Sequence, residues 1–219
     1  MILERRSSGR REGLVEKSET VRVRMLGGFS VSVGSRAVEG SSWRLKKAAS
    51  LVKLLVLAEG HRMHREQVMG LLWPDLGEKA AANNLRHTLH VARKTLEPTP
   101  GTASCHLQLQ GEQIVLCPDG LLWVDVEAFE EAVATARGAR DPAAYRAAEA
   151  LYAGDLLPGD LYEEWTEERR RELRSTYLTL LLELAGLHEQ RGEFEAAVEV
   201  LEGAVAAEPT REEARVGLM

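Results

Sequence analysis

The spacing of the apolar residues changes period along this chain, from two to helical, back to two, and then to helical until the end. "VRVRMLGGFSVSVGSRAV" from Val21 alternates apolar and polar residues, with Gly27-Gly28 and Gly34-Ser35 as turn signals, and predicts short antiparallel strands. From Ser42 to Glu59, the residues Leu45, Ala48, Leu51, Val52, Leu55 and Ala58 recur at helical spacing, between a Ser41-Ser42 start and Gly60. "HREQVMGLLW" from His64 predicts a short second helix that ends near Trp73, because Pro74 disfavours helical backbone at the residue before it. "AANNLRHTLHVARKTLEP", residues 81 to 98, predicts a third helix closed by Pro98 and Pro100. "CHLQLQGEQIVLC" then alternates on both sides of Gly111-Glu112, the pattern of a hairpin with a two-residue turn.

Small sheet, three helices, hairpin is the order of a winged helix-turn-helix, in which the third helix enters the major groove and the hairpin is the wing. Beyond Val124 the pattern is wholly helical, with helices expected at 126 to 137, 142 to 153, 163 to 190, 193 to 207, and a start at 211. Placing Pro209 at the end of a tetratricopeptide pattern puts Leu181, Leu184, Ala185, His188, Gly192, Phe194, Ala197, Leu201 and Ala204 at its small and apolar positions. Two helices of such a unit, about 34 residues, cannot bury their shared face alone, so neighbouring pairs must stack. "FEEAVATARGARDPAAYRAAEALYAG" supplies one neighbour, and the chain stops at "EPTREEARVGLM" just inside the next helix, as a fragment would. The expected fold is therefore an α+β winged helix-turn-helix with a small antiparallel sheet over 21 to 118, then an all-α tetratricopeptide-like repeat domain over 124 to 219. Residues 1 to 20, polar, arginine-rich and aperiodic, are expected to be a disordered basic tail.

Charge divides the same way. The net charge of −6 taken alone argues against a polyanionic partner. Up to residue 100, however, there are 18 Lys+Arg against 10 Asp+Glu, and beyond it 10 against 24. A basic half joined to an acidic half fits a nucleic-acid-binding module joined to one that meets proteins, with independent drift of two solvated surfaces as the alternative. No window approaches the roughly 18 apolar residues that cross a bilayer, and the first 20 residues lack the apolar core of a signal peptide, so a cytoplasmic location is expected. Cys105 and Cys117 are too few for a disulfide framework, and with His106 they lack a fourth metal ligand.

On the third helix, an advance of about 100° per residue gathers Leu85, Leu89, Ala92 and Leu96 into one stripe facing the core. Opposite lie Asn83, His87, His90 and Lys94, with Arg86 and Arg93 on one flank and Asn84, Thr88, Val91 and Thr95 on the other. Asn pairs with adenine, Arg and Lys with guanine, and Thr or Val touches a thymine methyl, so this face holds the vocabulary of major-groove reading. A solvated face is the competing reading, but such faces usually mix both signs, and here no acid occurs from Ala80 through Leu96. Arg44, Lys46 and Lys47 at the start of helix one, and His64 and Arg65 at the start of helix two, are candidates for phosphate contact. The hairpin tip offers Gln108, Gln110 and Gln113 beside Glu112, and no arginine for a minor groove. His61, His64, His87 and His90 lack metal-ligand spacing, and no phosphate-binding loop, nucleophile elbow or zinc-protease motif occurs, so no enzyme, metal or cofactor is expected.

These residues resemble the SARP family of bacterial transcriptional activators, whose OmpR-type winged helix is followed by a helical bacterial transcriptional activator domain. The matching landmarks are "VRMLGGFSV", "HREQVMGLLWPD", "NNLRHTLHVARKTLEP", "VDVEAF", "LYAGDLLPGDLYEEW", "RRELRSTYL" and "PTREEARVGLM", over about 21 to 219. The resemblance implies groove reading at Arg86, His87, His90, Val91 and Lys94, with Arg93 and Asn84 alongside, and backbone contact near Arg44, Lys46, Lys47 and Arg65. It also implies activation, binding to repeated promoter elements as a pair of subunits, and contact with RNA polymerase. The chain departs from the family where Val91 replaces an arginine and Ala92 a larger aliphatic, so family operators do not transfer. Base reading is thus expected of Arg86, His87, His90, Val91 and Lys94. Backbone contact is expected of Arg44, Lys46, Lys47, His64, Arg65, Asn83, Asn84 and Arg93, and wing contact of Gln108, Gln110 and Gln113. Two readings compete with a double-stranded DNA-binding regulator: a protein-interaction scaffold acting through the helical repeat, and the regulatory end of a larger NTPase.

Overall fold

The structure, a computed structural model, describes residues 19–97 and 106–207. Most of the expected basic tail, the stop at Pro98 and Pro100, Cys105, Pro209 and the helix start at 211 lie outside these residues. Strands β1 (Val21–Arg24), β2 (Ser30–Val33) and β3 (Arg36–Val38) form the expected antiparallel sheet. Its register sets Val21 against Val33, Val23 against Val31 and Val31 against Val38. The side-chain period of two therefore turns all five valines to one buried face.

Helix α1 (Lys46–Leu57) starts four residues later than the serines predict, because Gly40–Ser42 make a 3-10 turn and Leu45 is extended at φ −118°. Every residue from Ala48 to Val56 is buried, so this is a central helix covered on all sides, not one with a single apolar stripe. After the short strand β4 (Arg62–His64), helix α2 (Arg65–Leu72) opens with a capping box: the His64 side chain accepts from the first turn and Gln67 returns a bond to the His64 N–H. Helix α3 (Glu78–Leu96) begins three residues before its expected start, and Leu85, Leu89, Ala92 and Leu96 are buried as the wheel requires. The hairpin is β5 (Leu107–Gln110) and β6 (Gln113–Leu116), turning at Gly111-Glu112, and β4 adds to its β6 edge.

Two features of the assembly had no signal in the alternation. Strand β7 (Leu122–Val124), in the expected linker, pairs parallel with β1, giving a four-stranded sheet in the order β3-β2-β1-β7. The sheet is thus mixed, where a wholly antiparallel one was expected. The helices that follow are α4 (Asp125–Ala139), α5 (Pro142–Glu149), α6 (Glu167–Gln190) and α7 (Phe194–Ala207). Helix α5 ends four residues early because the chain turns there to dock on the first sheet: Gly27 N–H donates to Asp155 O at 3.0 Å and Leu157 N–H to Met25 O at 2.9 Å. Gly27 has φ +76°, and a Cβ there would sit 2.7 Å from Ala153 O, so this approach requires glycine.

Asp125, 5% exposed, joins the two halves. Its carboxylate accepts from Met25 N–H at 2.9 and 2.8 Å, from Leu26 N–H at 2.9 Å and from Val126 N–H at 2.9 Å. Burial pushes its carboxyl above the usual value, against these donors and the nearby Arg24 charge. Lys53 of α1, also buried, reaches Asp160 Oδ2 at 2.6 Å and lies 4.6 Å from the Phe29 ring centroid. One buried cluster therefore runs from Val21 through α1 and α3 into α4, α6 and α7. Within the helical part, Leu181, Leu184, Ala185, His188, Ala197, Leu201 and Ala204 are buried as the repeat pattern requires, and Gly192 takes φ +74° in the α6–α7 turn. Phe194 departs from the pattern and stands 67% exposed at the start of α7.

Candidate nucleic-acid interface

The core stripe of α3 fixes the direction of everything else on that helix. With Leu85, Leu89, Ala92 and Leu96 held inside, Asn83, Asn84, Arg86, His87, His90 and Lys94 are exposed, while Val91 and Arg93 are half-buried. Thr88 does not join them: it is 1% exposed, because the packed arc of the helix is wider than the four-residue stripe. Arg86 Nη1 donates to Asn83 Oδ1 at 2.7 Å, one turn away, so this pair presents a fixed amide and guanidinium together.

An open cleft of about 740 Å³ runs along the C-terminal half of this face. His87, His90, Val91, Lys94 and Thr95 form one wall, and Arg36, Ser41, Ser42, Arg44 and Leu45 the other. Among the described residues no carboxylate lines it. Arg36 was not foreseen from the sequence, since nothing in a three-residue strand reveals what it lies beside. Its guanidinium donates through Nη2 to Leu96 O at the end of α3, where a cation also complements the helix dipole. Thr95 hydroxyl reaches Ser42 O at 3.4 Å across the same cleft. Arg44 is thus brought beside the α3 face, whereas Lys46 does not line the cleft and Lys47 faces another groove, beside Trp73 and Trp165.

On the opposite flank the expected backbone-contact residues are engaged with the hairpin. Arg93 Nε donates to Leu107 O at 2.9 Å, which ties α3 to β5. Arg65 N–H donates to Glu112 O at 2.9 Å and its guanidinium meets the Glu112 carboxylate at 3.3 Å, so the start of α2 holds the hairpin tip. His64, half-buried, is committed to its cap. Gln110 and Gln113 pair across the turn, and Gln110 Nε2 donates to Gln108 Oε1 at 3.2 Å. The hairpin is therefore a braced element beside α3 that carries amides and one acid at its tip. Among the described residues no group of three or more His, Cys, Asp or Glu is placed to hold a metal, and no helix is long and apolar enough to cross a membrane.

Residues 124–219 match the family model of the bacterial transcriptional activator domain. No curated protein sequence matches the chain. The fold is similar to that of Mycobacterium tuberculosis EmbR, solved in complex with a low affinity phosphopeptide, at TM-score 0.72 and 18% identity, over 91% of this chain and 54% of that one. The chain thus spans about half the length of that protein, and at this identity the likeness is one of fold.

Proposed function

We propose that the chain is a sequence-selective, double-stranded DNA-binding transcriptional regulator of the SARP type, with a winged helix-turn-helix over 21–118 and an activator module over 124–219. The observation that carries this reading is the exposed, acid-free face of α3, joined to Arg36 and Arg44 in one open basic cleft. A helix of this composition fits the major groove, with Arg86, His87, His90 and Lys94 toward base edges and Val91 toward a thymine methyl. Arg36, Arg44 and the hydroxyls of Ser41 and Ser42 would then flank one phosphate strand, with Asn83, Asn84 and Lys46 as further contacts. Arg65 and Arg93 serve the reading by bracing the wing, Arg65 through Glu112 and Arg93 through Leu107.

The match of the helical module to the activator domain supports regulation of transcription. On this reading the protein activates, acts in the cytoplasm as a pair of subunits on repeated promoter elements, and meets RNA polymerase through its acidic half. It assigns no catalytic step, metal or cofactor to the chain. Selection of bound sequences from random duplexes tests it. The reading expects an enriched motif, and expects Arg86→Ala, His87→Ala and Lys94→Ala each to relax selection at separate positions, by about 1–3 kcal/mol per lost base contact. Parent-like selection by all three variants would show that α3 is not the reading element.

A further inference from the structure

Where the α2–α3 connection meets the segment before α6, the surface carries side chains that water does not favour. Tyr162 is 99% exposed and Leu161 64%, and Leu71 and Leu76 stand at 40% and 43%. Leu71, Leu76, Trp73, Tyr162 and Trp165 line one open groove of about 860 Å³, between the helix pair that carries α3 and the helical module. Single exposed apolar side chains are ordinary, but a contiguous set that includes a wholly exposed aromatic marks a contact surface.

The groove is built, not loose. Trp165 Nε1 donates to Glu163 Oε2 at 2.9 Å, and Thr166 hydroxyl donates to Glu163 O at 2.8 Å. Arg170 Nη2 in turn donates to Thr166 Oγ1 at 2.9 Å while its Nε holds Leu156 O at 2.8 Å. On the other wall, Trp73 N–H donates to Met69 O at 2.9 Å and closes α2. Tyr162 is therefore presented to solvent from a braced backbone.

Its rim is acidic. Among the described residues Asp75, Glu163 and Glu164 line the groove against one cation, Lys47, and Glu66 and Glu78 line the adjoining depression under Trp73, Pro74 and Leu76. Asp75, Glu78, Glu163 and Glu164 make no ion pair with a described residue. Such a rim repels the phosphates of DNA and anionic lipid, and it attracts Lys and Arg. A second copy of this acidic helical module would meet like charge there.

We propose that this groove docks a protein partner through an amphipathic helical segment that carries leucine-type side chains flanked by Lys or Arg, with Tyr162 and Trp73 as the anchors. Aromatic side chains at the centre of an interface dominate its binding energy, and the acidic rim selects the charge of the segment. The groove lies beside the start of α3, so a partner held there would be carried to whatever α3 touches. The proposal does not depend on DNA being that target.

The test titrates the full chain with a synthetic amphipathic Leu/Lys helix, and with its Leu/Glu counterpart, following tryptophan fluorescence. The expected result is saturable binding of the Leu/Lys helix alone, at least tenfold weaker for Tyr162→Ala and for Glu164→Lys. Both residues are exposed, so both variants should keep the parent thermal midpoint; Glu164→Lys also leaves the apolar surface intact. Unchanged affinity in both variants, or equal binding of the Leu/Glu helix, overturns the proposal. Sedimentation of the parent and of Tyr162→Ala covers the second-copy occupant, and flotation with anionic vesicles covers a lipid surface; Tyr162-dependent association in either overturns it as well.

Discussion

Replacing Asp125 with alanine removes the acceptor for two N–H groups that lie a hundred residues away in the chain, Met25 and Leu26, both in the buried cluster. Each buried donor left without a partner costs about 1–3 kcal/mol. Val126 N–H, also buried, loses its bond to the same carboxylate. Against this, the variant no longer buries a charge, and burial is the largest influence on the Asp125 carboxyl. The net expectation is a loss of about 3–4 kcal/mol, which in a chain of this size lowers the thermal midpoint by roughly 6–16 °C. Asp125→Asn keeps one acceptor oxygen and should cost about half as much. Urea and thermal unfolding, read by far-UV circular dichroism for both halves and by tryptophan fluorescence, measure this. Because β7, α4 and α1 share one cluster, the parent should show a single transition by both probes. An Asp125→Ala protein within about 1 kcal/mol of the parent would refute the inference that this carboxylate joins the two halves.

The same group gives a pH signature. A carboxyl raised in the fold holds its proton to higher pH than in the unfolded chain, so its contribution to stability is full below the ordinary value of 3.8 and falls as pH rises through the raised folded value. The parent-minus-Asp125→Asn stability difference should therefore decline over that acidic window and level off by neutral pH, as urea melts between the two would show. Lys53→Met leaves Asp160 without its 2.6 Å partner and should cost about 2–3 kcal/mol, less than a wholly buried pair because Asp160 is 21% exposed. Leu89→Ala opens a cavity under α3 and should cost about 2–4 kcal/mol by urea unfolding.

Elements with an unbroken local signal were legible. The β5–β6 hairpin followed from alternation about Gly111-Glu112, and the end of α2 from the block at Pro74. The exposed face of α3 followed from its period, since a single stripe of leucines fixes the rest of the wheel. What stayed hidden depends on contacts distant in sequence. Strands β4 and β7 are three residues each, too short for a pattern, and exist because a sheet edge was free to receive them. Thr88 was read as a flank residue because a wheel gives directions, not the width of what packs against them. Arg36 joins the cleft from another strand, and Arg65 and Arg93, read as phosphate contacts by position, also hold the hairpin. The groove at Tyr162 lay in the stretch "LYEEW", and it forms only where the fold sets Trp73 and Leu76 across from it.

The central claim is that the full chain binds duplex DNA through α3 and the basic cleft. Titration of the chain with its selected duplex and with an unrelated one, across a series of salt concentrations, tests it directly. Affinity should fall linearly on a logarithmic salt scale for both duplexes, and Arg44→Ala should weaken both equally and reduce the slope by about one. His87→Ala should weaken the selected duplex alone. Absence of binding to any duplex at low salt, or binding that salt and Arg44→Ala leave unchanged, would contradict the claim.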